Sequence, residues 1–324
     1  NTQAFVLERG ADLRFFWYLT NQTDFWERGG AAQPYVKVAE TLRYRLPIPD
    51  LDTQKAIAAF LDRETARIDQ LIEKKQRLVA LLEEKQRGFS EGLLLEISKE
   101  KCVKTRRLKH SIKYGTSISY GIVQPGEHVE GGVPFIQSAN LAQNLLSREL
   151  LPKTATHIEA QYPRSRLRPD DVILGIRASI GKAIVVPPEL DGVNLSRGIA
   201  RIQPAEDIIP DFLVLILSSA RTSNFWSKVQ QGSTFRELTI EAVRELTVPV
   251  PAMDLQRSVL ERHCAFDTRI NGAVELISGS IDRLREFRAA LITAAVTGRI
   301  DPATWHRRGD TDRRLDQIEE ALAS

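Results

Sequence analysis

The chain has 324 residues, 42% hydrophobic and 27% charged, with a net charge of +3. This is the composition of an ordinary soluble protein with room for two or more cores. The longest apolar run, Phe212 to Leu217, is far too short to cross a bilayer, and no signal-peptide pattern is present, so a cytoplasmic location is expected. Two cysteines, Cys102 and Cys264, have no partner at metal-ligand spacing, which favours simple thiols over a disulfide or a metal site.

The chain repeats itself. Phe25-Trp26 recurs as Phe225-Trp226, Gly30 as Gly232, Pro47-Ile48-Pro49 as Pro249-Val250-Pro251, Gln54 as Gln256 and Ile68 as Ile270, so a module has been duplicated. Residues 1–50 read as the last part of a first module. Asn1 aligns near Asn194, and counterparts of roughly residues 99–193 are missing before it. Such a shortened module is expected to leave Phe15, Phe16, Trp17 and Tyr18 exposed.

Past Pro49 a long helix is expected over 51–98, with Asp50 or Asp52 as N-cap. Written as heptads, Leu61, Ile68, Leu82 and Phe89 fall at position a, and Ile57, Leu71 and Leu78 at d. The same register in a second helix, 251–300, puts Ile270, Ile277, Leu284 and Leu291 at a and Val259, Phe266 and Phe287 at d, with His263 interrupting the seam. One such stripe is usually the buried face of a single helix. Two in matching register in a repeated unit suggest helices packed on each other, antiparallel if a pseudo-twofold relates them. The stretch 57–89 would measure about 50 Å at about 1.5 Å per residue, a spacer of calculable length.

Residues 99–250 read as a complete mixed α/β module. Strand-like runs occur at 133–137, 171–177, 183–186 and 198–203, a helix is expected around 211–219, and glycines punctuate the loops. Between residues 99 and 248, 20 Lys and Arg face 15 Asp and Glu. The excess concentrates in Lys99, Lys101, Lys104, Arg106, Arg107, Lys109 and Lys113, running into Tyr114 and Tyr120, and in Arg164, Arg166 and Arg168 after Tyr162. Charge clusters are commonly just solvated faces, but basic residues interleaved with aromatics and glycine loops suit a polyanion. Lys113, Tyr120, Gln124, Arg164, Arg166, Arg177, Lys182, Arg197 and Lys228 are the candidate DNA contacts, as base readers or phosphate ligands. Residues 301–324 read as a tail.

The chemistry of catalysis is hard to find. The run from Gly175 to Ala183 has five residues between its glycines and Ala183 where a phosphate loop needs Ser or Thr. Asp170-Asp171 lacks a following carboxylate and lysine, and the five histidines are scattered. No catalytic residue, resident cofactor or metal site is expected.

The order of these parts resembles the specificity subunit of type I restriction-modification enzymes. The resemblance rests on Gly29-Gly30-Ala31-Ala32-Gln33-Pro34, on the run from Gln54 to Asp69 with Leu71-Ile72-Glu73-Lys74-Lys75, and on Pro134-Phe135-Ile136 followed by Arg168-Pro169-Asp170-Asp171-Val172-Ile173-Leu174. It implies an α+β fold in which target-recognition domains alternate with two long helices in an antiparallel coiled coil. It also implies a non-catalytic subunit that reads one part of a bipartite site in double-stranded DNA. Two methylating subunits, bringing S-adenosylmethionine for adenine N6, and ATP-driven, Mg-dependent restriction and translocase subunits would be its partners. A coiled-coil scaffold without sequence preference, and an enzyme with an unrecognised site, are the rival readings.

Overall fold

The computed structural model describes residues 10–22, 25–30, 35–41, 43, 47–100, 102–230 and 237–305. The expected tail beyond 305, and with it His306, lies outside them, as do Lys101, Gly232 and residues 31–34. In chain order the elements are helix α1 (Leu13–Thr20), strands β1 (Arg28–Gly29) and β2 (Tyr35–Val36), the turn α2 (Val38–Thr41) and the long helix α3 (Leu51–Lys99). There follow β3 (Lys104–Arg107), β4 (Ser119–Tyr120), β5 (Val133–Ile136), α4 (Ser138–Gln143), β6 (Lys153–Thr154), α5 (Thr156–Glu159), β7 (Val172–Gly175), β8 (Ala183–Val185), β9 (Asn194–Leu195) and β10 (Ile199–Ile202). The last are α6 (Pro210–Leu217), α7 (Ala220–Gln230), α8 (Ile240–Glu245), β11 (Thr247–Val250) and the second long helix α9 (Met253–Val296). Two compact units result, one from the chain ends (Asn1–Leu82 with Gly272–Ser324) and one from the middle (Glu83–Asn271).

In the end unit, α1 starts at Asp12, whose carboxylate accepts the Phe15 N–H at 2.9 Å, an N-cap that satisfies one of the helix's free donors. Its buried face, Phe15, Tyr18 and Leu19, packs on Ile57, Phe60 and Leu61 of α3 and on Leu291 and Ala295 of α9. Phe15 and Tyr18 are thus 1% and 4% exposed, against the expectation of an uncovered aromatic run, while Trp17 is 54% exposed. The two long helices supply the cover that the sequence reading did not foresee. Tyr18 donates its hydroxyl to Asp62 at 2.9 Å, and burial pushes the phenol's pKa up.

In the middle unit, β4, β10, β7 and β8 form an antiparallel sheet in that order, and β6, β5 and β9 a second, smaller one in which β5 and β9 run parallel. α6 is apolar nearly all round because it is buried between the sheet and its neighbours: Phe212, Leu213 and Leu217 are fully buried. The end of α3 enters the same core through Leu93, Leu94 and Ile97, positions off the heptad that the sequence reading assigned. Strand β3 pairs with β11 along its whole length.

The long helices run antiparallel within the middle unit. Gln86 meets Asn271, Ser90 meets His263, and Glu96 meets Arg262, while Phe89 stacks on Phe266 with centroids 4.1 Å apart. In the end unit Asp69 pairs with Arg288 at 2.9 Å. Of the seam, Ile57, Leu61, Ile68, Val259, Ile270 and Leu291 are buried, and Leu71, Leu78, Leu82, Phe89, Phe266, Ile277 and Leu284 half-buried. Phe287 departs from the expected register at 48% exposed; Ile281 and Ala295 are buried instead. A straight α-helix drifts about 20° per heptad from a strict 3.5-residue repeat, so the buried stripe moves from d to e toward the end of α9.

The duplicated glutamines show what the repeat is for locally. Gln54 is 2% exposed; its carbonyl accepts the N–H of Asp12 and its amide donates to the Pro49 carbonyl, both at 2.8 Å. Gln256, fully buried, accepts the N–H of Ile209 at 2.9 Å and donates to the carbonyls of Asp207 at 2.7 Å and Pro251 at 2.9 Å. Asp12 and Ile209 are the N-cap residues of α1 and α6, two helices of eight residues each. In each unit a buried amide fastens the start of a long helix to the start of the module helix before it.

Candidate nucleic-acid interface

The middle unit draws three distant stretches of chain together at one edge. Residues 120–124 lie along 194–198: the N–H of Gly121 meets the Ser196 carbonyl at 3.3 Å, that of Ile122 the Leu195 carbonyl at 2.6 Å, and that of Arg197 the Ile122 carbonyl at 2.9 Å. The third stretch is the turn between β7 and β8, where the N–H groups of Ile176 and Arg177 both reach the Gly198 carbonyl, at 2.9 and 3.2 Å. This convergence depends most on Gly121, which abuts backbone, and less on Gly198, which abuts a hydroxyl that can rotate. A Cβ on Gly121 would overlap the Leu195 carbonyl oxygen, and one on Gly198 would overlap the Ser138 hydroxyl at the start of α4.

Tyr120, Gln124, Arg177, Lys182 and Arg197 therefore share one region. Tyr120 (48% exposed), Gln124 and Arg197 face solvent. Lys182 reaches back to the Ala142 carbonyl of α4 at 3.1 Å. Arg177 is joined to Glu237 both by an ion pair and by a backbone bridge, and that carboxylate holds the guanidinium's pKa above its ordinary value.

Arg164 lies beside this region, its carbonyl accepting the Ser119 hydroxyl and the Arg201 guanidinium, each at 3.0 Å, while its own side chain is exposed. Lys113 sits further along the same sheet, its N–H on the Gln203 carbonyl at 2.8 Å. Lys228 is exposed near the end of α7. Among the described residues, the side chains of Lys113, Arg164, Arg168, Arg197 and Lys228 have no carboxylate partner.

Two groups of cations from the sequence reading have structural work instead. Arg166 makes a two-pronged pair with Glu159, both bonds 2.8 Å, and Glu159 is 3% exposed and also bonded by Asn194 at 3.0 Å. The Arg166 guanidinium holds that carboxyl below the usual carboxylate range. The first basic cluster is largely neutralised where β3 meets its neighbours: Arg106 pairs with Asp207 at 2.9 Å, and Arg107 and Lys109 with Glu245 at 2.8 and 2.5 Å. A run of cations on a strand whose facing elements supply acids cannot be told from a polyanion surface by its spelling. Beneath the surface, the buried pair Arg201–Asp171 at 2.6 Å, with the Arg168 N–H on the same carboxylate at 2.8 Å, holds β10 to the loop that leads into β7.

The sequence reading missed Ser138, whose hydroxyl abuts Gly198, and named Tyr114 only as an aromatic of the basic cluster; it stands wholly exposed in a turn closed by the Thr116 N–H on the Lys113 carbonyl at 3.1 Å. Among the described residues no group of His, Cys, Asp or Glu is placed to hold a metal, and no helix is long and apolar enough to cross a membrane.

Each unit also carries a groove, and the two correspond position by position. In the end unit it is lined by Trp17, Tyr18, Asn21 and Gln22 of the α1 region and by residues 288, 289, 292 and 293 of α9. In the middle unit the wall includes Val214, Leu215, Ser218 and Ser219, and residues 86, 87, 90 and 91 of α3, around a volume of about 1100 Å³. Counted from the N-caps Asp12 and Ile209 for the short helices, and by the 202-residue offset for the long ones, every lining position of the first groove has its counterpart in the second.

The middle unit is thus a loop-built, cation-bearing α+β module packed on the ends of two long helices. The chain belongs to the type I restriction modification DNA specificity domain family, whose model matches residues 96–276. It is 24% identical over 281 residues to the type I restriction enzyme EcoBI specificity subunit of Escherichia coli, covering 80% of this chain and 59% of that one. It is 20% identical over 282 residues to a putative type I restriction enzyme MjaX specificity subunit of Methanocaldococcus jannaschii, covering 83% and 62%. The chain thus spans about three fifths of the length of these curated relatives. A solved structure from work on complex assembly and conformational transition of the type I R-M system matches with a TM-score of 0.57 at 17% identity, covering 88% of this chain and 68% of the other, which supports the α+β fold.

Proposed function

We propose that this chain is a non-catalytic, sequence-reading DNA-binding subunit of a type I restriction-modification complex. The observation that carries the reading is the middle unit's edge, where Tyr120, Gln124 and Arg197 are presented from two abutting stretches with free cations on either side. Fixed loops bearing Arg, Gln and Tyr can address base edges, while flanking Lys and Arg neutralise phosphates. The module reads one part of a bipartite site in double-stranded DNA.

The methylating subunits, two per chain, bring S-adenosylmethionine, and restriction and translocase subunits bring ATP and Mg-dependent cutting; the complex works in the cytoplasm. Two grooves at equivalent repeat positions support a partner that docks twice. Asn21 and Ser218 are equivalent and exposed in them, so Asn21→Arg or Ser218→Arg should each remove one methylating subunit from the purified complex.

The test is to co-purify the chain with the methylating subunit of its own system and recover what it binds from random duplex DNA at moderate salt. One enriched motif, or two at fixed spacing, supports the reading. Salt-sensitive binding to every sequence would put the scaffold alternative in its place.

A further inference from the structure

Phosphate contact and base reading make different demands on a cation. Attraction to a phosphate is barely directional, so a mobile side chain suffices. Bidentate bonding to guanine O6 and N7 is directional, and a planar guanidinium delivered from a fixed backbone serves it better than a flexible ammonium. Arg197 meets the second demand. Its N–H is held by the Ile122 carbonyl at 2.9 Å, the preceding Ser196 N–H by the Ile136 carbonyl at 2.9 Å, and the following Gly198 carbonyl by the N–H groups of Ile176 and Arg177.

The backbone on both sides of Arg197 is therefore pinned by three other parts of the chain, and Gly121 and Gly198 bring those parts flush. Its guanidinium is exposed and has no carboxylate partner among the described residues. Arg166 and Arg177, by contrast, are held by Glu159 and Glu237. Beside Arg197, on the stretch that accepts its N–H, stand exposed Val123 and Gln124, an apolar surface and an amide.

We propose that Arg197 is the side chain that reads a guanine in the recognised sequence, while Arg164, Lys113 and Lys228 neutralise phosphates. This rests on the DNA-reading function above and assigns its chemistry to residues. Lysine keeps the charge of arginine and lacks its fork, so Arg197→Lys separates the two roles at an exposed site where folding is undisturbed.

The experiment selects random duplex DNA with the full chain as wild type, Arg197→Lys and Arg164→Ala, at two salt concentrations. Arg197→Lys should lose one G·C position of the motif, with discrimination there falling roughly 10- to 100-fold, the range of a lost bidentate contact. Arg164→Ala should keep every letter while binding more weakly, with a salt slope lower by about one. An Arg197→Lys motif identical to wild type overturns the assignment and leaves DNA reading intact. A wild-type chain that selects no motif overturns both.

Discussion

Replacing Gln256 by Leu removes three hydrogen bonds from a fully buried side chain while nearly preserving its volume. The N–H of Ile209 and the carbonyls of Asp207 and Pro251 all lose their partner. At about 1 kcal/mol net per bond the loss is about 3 kcal/mol, rising toward ~5 kcal/mol if the stranded groups cannot reach water. Pro251 is buried and Ile209 only half-buried, so the penalty should lie between these limits. Because the chain has two compact units, whole-chain melting is a poor gauge, and amide hydrogen exchange read at α6 and at the start of α9 is the better assay. A local loss of about 3 kcal/mol speeds exchange limited by that opening by roughly 100-fold. Gln54→Leu loses two bonds, so the end unit should lose about 2 kcal/mol at α1. A cost under about 1 kcal/mol for Gln256→Leu, or a larger cost for Gln54→Leu, would show that these bonds do not hold the helix starts together.

Gly121→Ala should force residues 120–124 off the 194–198 stretch, destabilising the middle unit by about 3 kcal/mol in the manner of an overpacked core; normal exchange protection at Ile122 would refute this. Arg201→Met strands the buried Asp171 carboxylate and should cost about 3–5 kcal/mol, whereas the double change Arg201→Met with Asp171→Leu should recover most of it, as urea unfolding followed by a middle-unit probe can show. Glu159 is held below its ordinary value of 4.5 by Arg166, so it contributes stability that is present above that value and lost as pH falls through the lower, folded-state one. The Arg166 side chain is 48% exposed, so solvent screening keeps the effect modest; Glu159→Gln should flatten the acid limb of stability against pH, and an unchanged limb would count against the pair. Phe266→Ala removes the stack on Phe89 and should cost about 2 kcal/mol, less than a full core truncation because both rings are half-buried; a change below ~0.5 kcal/mol would show that the stack is not structural.

Much of this protein is written in local patterns. The heptad stripe placed α3 and α9, because a helix's buried face is dictated by spacing alone, and the Pro-x-Pro with its glutamine marked where each begins. Strands β5, β7, β8 and β10 fell within the expected apolar runs, whereas β3, β4, β6, β9 and β11, too short or too polar to show in composition, are defined only by the partners they pair with. Gln54 and Gln256 could be paired by the offset, but their role could not be read, since their partners Asp12 and Ile209 lie more than forty residues upstream. Tertiary structure alone decided which cations are free. Arg107 and Lys109 are spelled like a polyanion surface, yet Glu245 is folded onto them; Arg197 is spelled like any exposed arginine, yet three stretches fix it in place. Charge pairing and backbone convergence depend on residues far apart in the chain, whereas helical faces depend on neighbours three and four positions away.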